Sequence, residues 1–440
     1  MFGFGWLKNP IVLTLVIILV LLLAIPFSPL HKYYFPDLNP NAFKLLIEDR
    51  AVVSDAENMV YAIKGLNAPE NIEDVHSYSI DNSVTKINLD IDFTKLECWL
   101  SSHPEPDKDC YTKQELVKII DKNKILIDRY VDIYKYNKFD SNLQDKSFSG
   151  QKLISTHKLY MANLRLEFQN KKSFHKMIRD FKHKRFLLSQ DGSLIEKAIF
   201  LVLLSLTINQ FEYHLINYPD IVNDHDKEIL DAFHDLTTSE FNIDGFLRKE
   251  YELLNNIFCL YEKLGAKSTV SCDENSKDMY IPAKFYTNDF YNKFHPFKEI
   301  IELNVIDLND KCHSMRADNI DFSKTLFFGD ILLHFPLFPS YPGYKLFLGG
   351  SLKGCEIIVN FKVKQAKIRL LKVYTELISS NLDKDTYNNY LKNILDKDIA
   401  TGKSFVYNEI KEQLEFPSNE SELFSELSMP LIKINRAERE

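Results

Sequence analysis

The residues with the best chance of doing chemistry fall into four groups. Gly402-Lys403-Ser404 reads like the end of a phosphate loop, G-x-x-x-x-G-K-[ST], whose backbone amides cradle a phosphate. The place of its first glycine is held by Lys397, so a turn with Gly402 at positive φ, ahead of a hairpin, is the expected structure. Glu212, His214, Asp220, Asp224, His225, Asp226, His234 and Asp235 are dense in metal-ligand types. They contain no H-E-x-x-H and no close His pair on one helical face, so they read as a solvated connection between helices. No G-x-S-x-G elbow occurs, and no catalytic set is named. No metal and no cofactor are expected.

Cysteines form the third group: Cys98, Cys110, Cys259, Cys272, Cys312 and Cys355. Cys98 and Cys110 bracket a short polar loop, as do Cys259 and Cys272, which would leave Cys312 to Cys355. Six cysteines allow fifteen connectivities, so the pairing is a preference. Zinc sites usually show C-x₂₋₄-C pairs, and this chain has none. An even set without that spacing points to an oxidising compartment, with six buried free thiols as the alternative.

The fourth group is a basic helix over 171–188, KKSFHKMIRDFKHKRFLL. Phe174, Met177, Ile178, Phe181 and Leu188 make an apolar stripe. Lys171, Lys172, Lys176, Arg179, Lys182, Lys184 and Arg185 surround it, against Asp180 as the one acid. Such a helix can lie on anionic lipid or dock an acidic partner. The preferred reading is a bundle helix whose basic face is solvated and balanced by acidic neighbours.

The elements that must position these groups read as helices. Phe (32) and Tyr (22) are abundant and Gly (13) is scarce, which favours an aromatic-cored helical fold over a loop-rich β architecture. Helical signals cover 41–47, 55–66, 112–137, 152–169, 171–188, 194–216, 226–236, 242–264, 356–380 and 385–395. Thr112 and Glu115 form a capping box at the start of the third. The apolar centre of the sixth, Ala198 to Ile208, is too short to span a bilayer and reads as a buried core helix. A short strand is expected at 84–91, a partly helical stretch at 283–304, an irregular connection at 325–350 and a small hairpin at 404–416.

Residues 10–27, PIVLTLVIILVLLLAIPF, carry no charge, and with their flanks they are long enough to cross a hydrocarbon core of about 30 Å. No A-x-A cleavage pattern follows, so the run reads as a retained anchor in preference to a cleaved signal. Lys8 precedes it, and His31 and Lys32 follow. A short charged tail favours tail-in, bulk-out. The expected organisation is a cytoplasmic tail (1–9), a transmembrane helix (10–30), a juxtamembrane linker (31–40), an α-helical extracytoplasmic domain (41–420) and an acidic flexible tail (421–440). The net charge of −8 disfavours general nucleic-acid binding.

Several patches carry a resemblance. They are residues 58–69 (NMVYAIKGLNAP), the Cys98…Cys110 loop with the following Asp128-Arg129-Tyr130, and residues 398–407 (DIATGKSFVY). Together they resemble a group of single-pass bacterial envelope proteins of unknown function. In that group the last stretch often reads D-P-x-T-G-K-P-x-x-Y, and here Ile399 and Ser404 stand in place of the prolines. The resemblance implies an inner-membrane anchor and an envelope-side helical domain, and carries over no activity. The combined expectation is a mainly α protein, anchored in a bacterial inner membrane with its bulk in the periplasm. It would act as an interaction or scaffolding module for an envelope protein partner. The alternative is a membrane-tethered periplasmic hydrolase whose site leaves no local motif.

Overall fold

Asn58 opens the first described helix by accepting a hydrogen bond from Val60 N–H (3.2 Å). The same side chain donates to the Asp140 carbonyl (2.7 Å) and accepts from the Asp140 amide (3.1 Å), tying the helix start to a segment far along the chain. The computed structural model describes residues 53–81, 91–101, 109–141, 150–168, 173–246, 248–250, 307, 341–380, 382–398, 402–416 and 429–430. The membrane anchor, the linker, the elements expected at 41–47 and 283–304, and residues 84–90 of the expected strand lie outside them, as does 242–264 beyond residue 250.

The described chain is mainly helical, as expected, with a small antiparallel sheet. The helices are α1 (Met59–Lys64), α2 (Val75–Asp81), α3 (Phe93–Leu100), α4 (Lys113–Lys122), α5 (Lys124–Asp132) and α6 (Gly150–Glu167). They continue with α7 (Ser173–Ser189), α8 (Leu194–Asn217), α9 (Pro219–Ala232), α10 (Thr238–Phe241), α11 (Tyr341–Ser379) and α12 (Tyr387–Asn393). Strands β1 (Val406–Asn408) and β2 (Gln413–Glu415) pair antiparallel, Tyr407 opposite Leu414, and β3 (Met429–Pro430) adds to β2. Those two residues belong to the stretch expected to fray.

Capping explains several helix starts. Thr112 and Glu115 make the predicted box: the Thr112 amide donates to Glu115 Oε2 (2.8 Å), and the Glu115 amide donates to Thr112 Oγ1 (3.3 Å). Ser193 and Glu196 repeat the device at the start of α8. The helix expected over 112–137 is instead α4, α5 and a one-turn 3₁₀ segment, Ile133–Lys135. The break falls at Asn123, whose side chain bonds the Ile119 carbonyl (2.8 Å) and competes with the helical ladder. Helix α11 starts at Tyr341, where 341–350 had been expected to be irregular. Pro342 sits in the first turn, where its missing N–H has no intrahelical partner to lose. Helix α9 begins at Pro219 for the same reason, seven residues before the expected start.

Helix α8 lies at the centre, against α6, α7 and α11. Among the described residues it alone is long and apolar enough to cross a membrane. Its packing identifies it as a core helix: Phe200, Leu203, Leu204, Ile208 and Phe211 are fully buried, and Glu196, Lys197, Gln210, Glu212 and His214 are buried with them. The core around it is aromatic. Phe211 meets Phe174, Phe181 and Phe233 edge-on, with ring centroids 5.8, 5.6 and 4.9 Å apart, geometry that adds roughly 0.5–1.5 kcal/mol per pair beyond area burial.

At Gly65 the chain turns so tightly that a Cβ would sit 2.9 Å from the backbone oxygen and Cβ of Val75 in α2. Gly65→Ala is therefore expected to lower stability by about 1–3 kcal/mol through forced separation of α1 and α2. Urea unfolding of the two proteins measures this, and equal midpoints would show that the contact yields freely.

Candidate functional site

The stripe on α7 runs through Met177, Phe181 and Leu188, and the position it needs between the last two is filled by Lys184. Asp180 stands one helical turn before, on the same face. Both are buried, at 0% and 1% exposure, and Lys184 Nζ lies 2.8 Å from Asp180 Oδ1. An ion pair removed from water needs further hydrogen bonds to offset its desolvation. Two neighbouring elements supply them. Thr207 of α8 donates to Asp180 Oδ2 (2.7 Å), and Tyr134, from the turn after α5, donates to Oδ1. Lys184 Nζ sits 5.0 Å from the ring centroids of both Tyr130 and Tyr134, a cation–π arrangement that strengthens on desolvation.

His157 of α6 completes the cluster. Its Nε2 faces the Leu203 carbonyl at 3.1 Å, which can only accept, so the hydrogen-bond network assigns the proton to Nε2. Nδ1 then accepts from Tyr130 O–H at 2.7 Å. Burial, opposed by Asp180 and aided by Lys184, pushes His157 down to about 4, so the ring is neutral at neutral pH. Burial alone would raise Asp180, but Lys184 and the hydrogen bonds outweigh it and hold the carboxyl well below its ordinary value. Burial, reinforced by Asp180, pushes the Tyr130 and Tyr134 phenols well up, so both remain donors.

Acid, base, ammonium and phenols thus meet at one point, a set able to move protons if a substrate could reach it. Tyr130, His157, Asp180, Lys184 and Thr207 are each at most 1% exposed, and Tyr134 is half-buried. The cluster fastens α5, α6, α7 and α8 to one another.

Arg185, the next residue, is buried too and grips the loop after α9. It donates to the carbonyls of Ala232 (3.0 Å), His234 (2.7 Å) and Asp235 (2.9 Å) and makes a forked pair with Glu240. Glu240 in turn closes the capping box of α10 with Thr237. Arg369 of α11 reaches the same loop through Asp235 and also holds the Lys397 carbonyl (2.7 Å). Lys197 of α8 donates to the Leu188 and Gln190 carbonyls at the end of α7. Burial pushes its ammonium down to about 7.

These facts redistribute the predicted docking residues. Lys184 and Arg185 are interior and cannot meet a lipid surface or a partner. Lys176 and Lys182 are exposed and paired with Glu167 (2.7 Å) and Asp231 (3.1 Å). Arg179 lies 5.2 Å from the Tyr134 ring centroid. Lys171 and Lys172 lie outside the described residues. The acid-and-histidine stretch is dispersed: Glu212 is buried against Lys367 of α11 (2.8 Å), His214 stacks on Phe168, and His234 meets Arg185. His225 alone of that set joins a cluster that sequence reading missed, with His175 and Glu228. The missing signal was tertiary, since His175 comes from α7, some fifty residues earlier. Gly402 has φ +65° and closes a turn onto the Asp398 carbonyl (2.8 Å), as expected of a turn before the hairpin.

Cys98 and Cys110 stand at disulfide distance, their Cα atoms 5.2 Å apart. Cys259, Cys272 and Cys312 lie outside the described residues, and Cys355 falls in a part of α11 described by its backbone alone. In comparisons with protein-family models, with curated proteins and with solved structures, nothing matches this chain.

Two outcomes test the cluster. Lys184→Met strands a buried carboxylate and should cost about 3–5 kcal/mol, read from denaturant unfolding. A smaller loss than 1 kcal/mol would mean that water reaches Asp180. The second outcome concerns pH. The unfolded chain protonates residue 157 near its ordinary value of about 6.5, whereas the folded chain resists until about 4. Stability should therefore fall as pH drops through that window, by up to about 1.4 kcal/mol per unit from this residue. His157→Gln should flatten the slope between pH 6.5 and 4.5, and an unchanged slope would show that His157 is protonated in the fold.

Proposed function

We propose that this protein is a membrane-anchored cell-envelope interaction or scaffolding module. In this reading residues 10–30 hold it in a bacterial inner membrane by a single pass, and the helical domain lies on the periplasmic side. The observation that carries the non-enzymatic part is the burial of the Asp180 cluster. The acid–base groups gathered there bond one another across four helices, and all of them but Tyr134 are buried. The uncharged run at 10–27 and the Cys98–Cys110 proximity support the topology, because such a pair persists in an oxidising compartment.

Thiol labelling of intact cells with an impermeant reagent tests the placement. Cys98 and Cys110 should label only after reduction, without opening the inner membrane. Labelling that requires the inner membrane to be breached, and no reductant, would put the domain in the cytosol. In-cell crosslinking of the full-length chain should then trap a defined envelope protein. Turnover of envelope substrates by the purified full-length protein would replace this reading with the tethered hydrolase.

A further inference from the structure

The carboxylate of Glu228, on α9, meets two imidazoles and no lysine or arginine among the described residues. His175, projecting from α7, places Nδ1 3.0 Å from each of its oxygens. His225, one turn before Glu228 on α9, places Nδ1 3.7 Å from Oε2. No two of the three ligand-type atoms are further apart than 4.8 Å. The exposed acids nearby are neutralised by lysines: Glu167 by Lys176 and Asp231 by Lys182.

We propose that His175, His225 and Glu228 form a binding site for a zinc-class divalent cation that bridges α7 and α9. Zinc bonds nitrogen and oxygen at about 2.0–2.2 Å, so adjacent ligand atoms of a tetrahedral site lie about 3.3 Å apart. The two imidazole–carboxylate separations straddle that value. Two imidazoles and one carboxylate are a borderline donor set, favouring zinc and its transition-metal neighbours over magnesium or calcium. Three protein ligands leave a fourth position for water, and the site faces solvent: His175 is 63% exposed and Glu228 36%.

The surroundings prepare two of the ligands. Helix α9 departs from helical dihedrals at His225 (φ −135°, ψ 16°), and the displaced ring stacks on Phe174 at 5.2 Å between centroids. Glu228 follows three residues later, within reach of the same point. His175, exposed, supplies the remaining adjustment by rotating its side chain. Sharing an ion would join α7 to α9 through a bond neither helix provides alone.

Titration of the metal-free full-length protein with zinc, and with cobalt as a spectroscopic substitute, tests the site. One ion per chain should bind, with cobalt giving visible bands that zinc erases. His175→Ala, His225→Ala and Glu228→Gln should each weaken binding by about tenfold or more, since loss of even an outer partner of a ligand costs 10–100-fold. His234→Ala, away from the cluster, should leave affinity unchanged. His175→Ala removes an exposed side chain, so its unaltered circular dichroism separates ligand loss from unfolding. Absence of saturable binding by the native protein would mean that the three groups form an ordinary surface ion pair. Binding that survives all three substitutions would place the ion elsewhere. Either result overturns the assignment.

Discussion

A carboxylate with no access to water dictates the arrangement around it. Asp180 must be ionised beside Lys184, and an ionised group in a low-dielectric interior is tolerated only when its lone pairs are filled. The hydroxyls that fill them come from Thr207 on α8 and Tyr134 after α5, while Tyr130 is held by His157 of α6. Sliding any of these helices by one turn would move a donor about 5.4 Å from its acceptor. Apolar packing tolerates such slips more readily, because one buried leucine can replace another. The polar cluster thereby sets the register that the surrounding phenylalanines then fill.

A second pattern recurs across the fold. Long cations are turned inward onto backbone carbonyls at helix ends and in the connections between helices. Arg129 holds the carbonyls of Ala68, Pro69 and Ile72, Arg185 those after α9, and Lys197 those closing α7. Arg165 does the same for Trp99 and Ser101 while lying over the Tyr213 ring. The last carbonyls of a helix have no partner within it. A guanidinium, with five donors in a fixed fork, can satisfy several at once. Loops in this protein are therefore defined by side chains reaching from distant helices as much as by their own turn residues.

Much of the helical layout was legible because it is written locally. Thr112 and Glu115, the Gly402 turn, the hairpin at 404–416, and the apolar centre of α8 each depend on residues a few positions apart. The break at Asn123 and the early start of α11 were not legible, since a single side-chain bond and a first-turn proline decide them. The polar cluster stayed hidden because its members come from four elements. Charge counting then assigned Lys184 and Arg185 to the surface. A signal did exist: the stripe of Met177, Phe181 and Leu188 requires an inward residue at 184 or 185, and the only acid on the helix lies one turn before Lys184. The His175, His225 and Glu228 group left no comparable trace, because its two halves share no period.

The polar ends of α8 have a consequence for how the chain reaches its destination. Protein-conducting channels release sufficiently apolar helices sideways into lipid, and α8 has the length for that fate. Each central charge opposes such release by about 2.5–3.5 kcal/mol, less toward the ends of a span. Glu196 and Lys197 at one end and Glu212 at the other confine the uncharged stretch to a little over half the helix. A chain carried across a membrane would need that interruption to keep moving. If the domain lies across the membrane as proposed, the residues that complete the core after folding would thus also keep this helix from halting its passage.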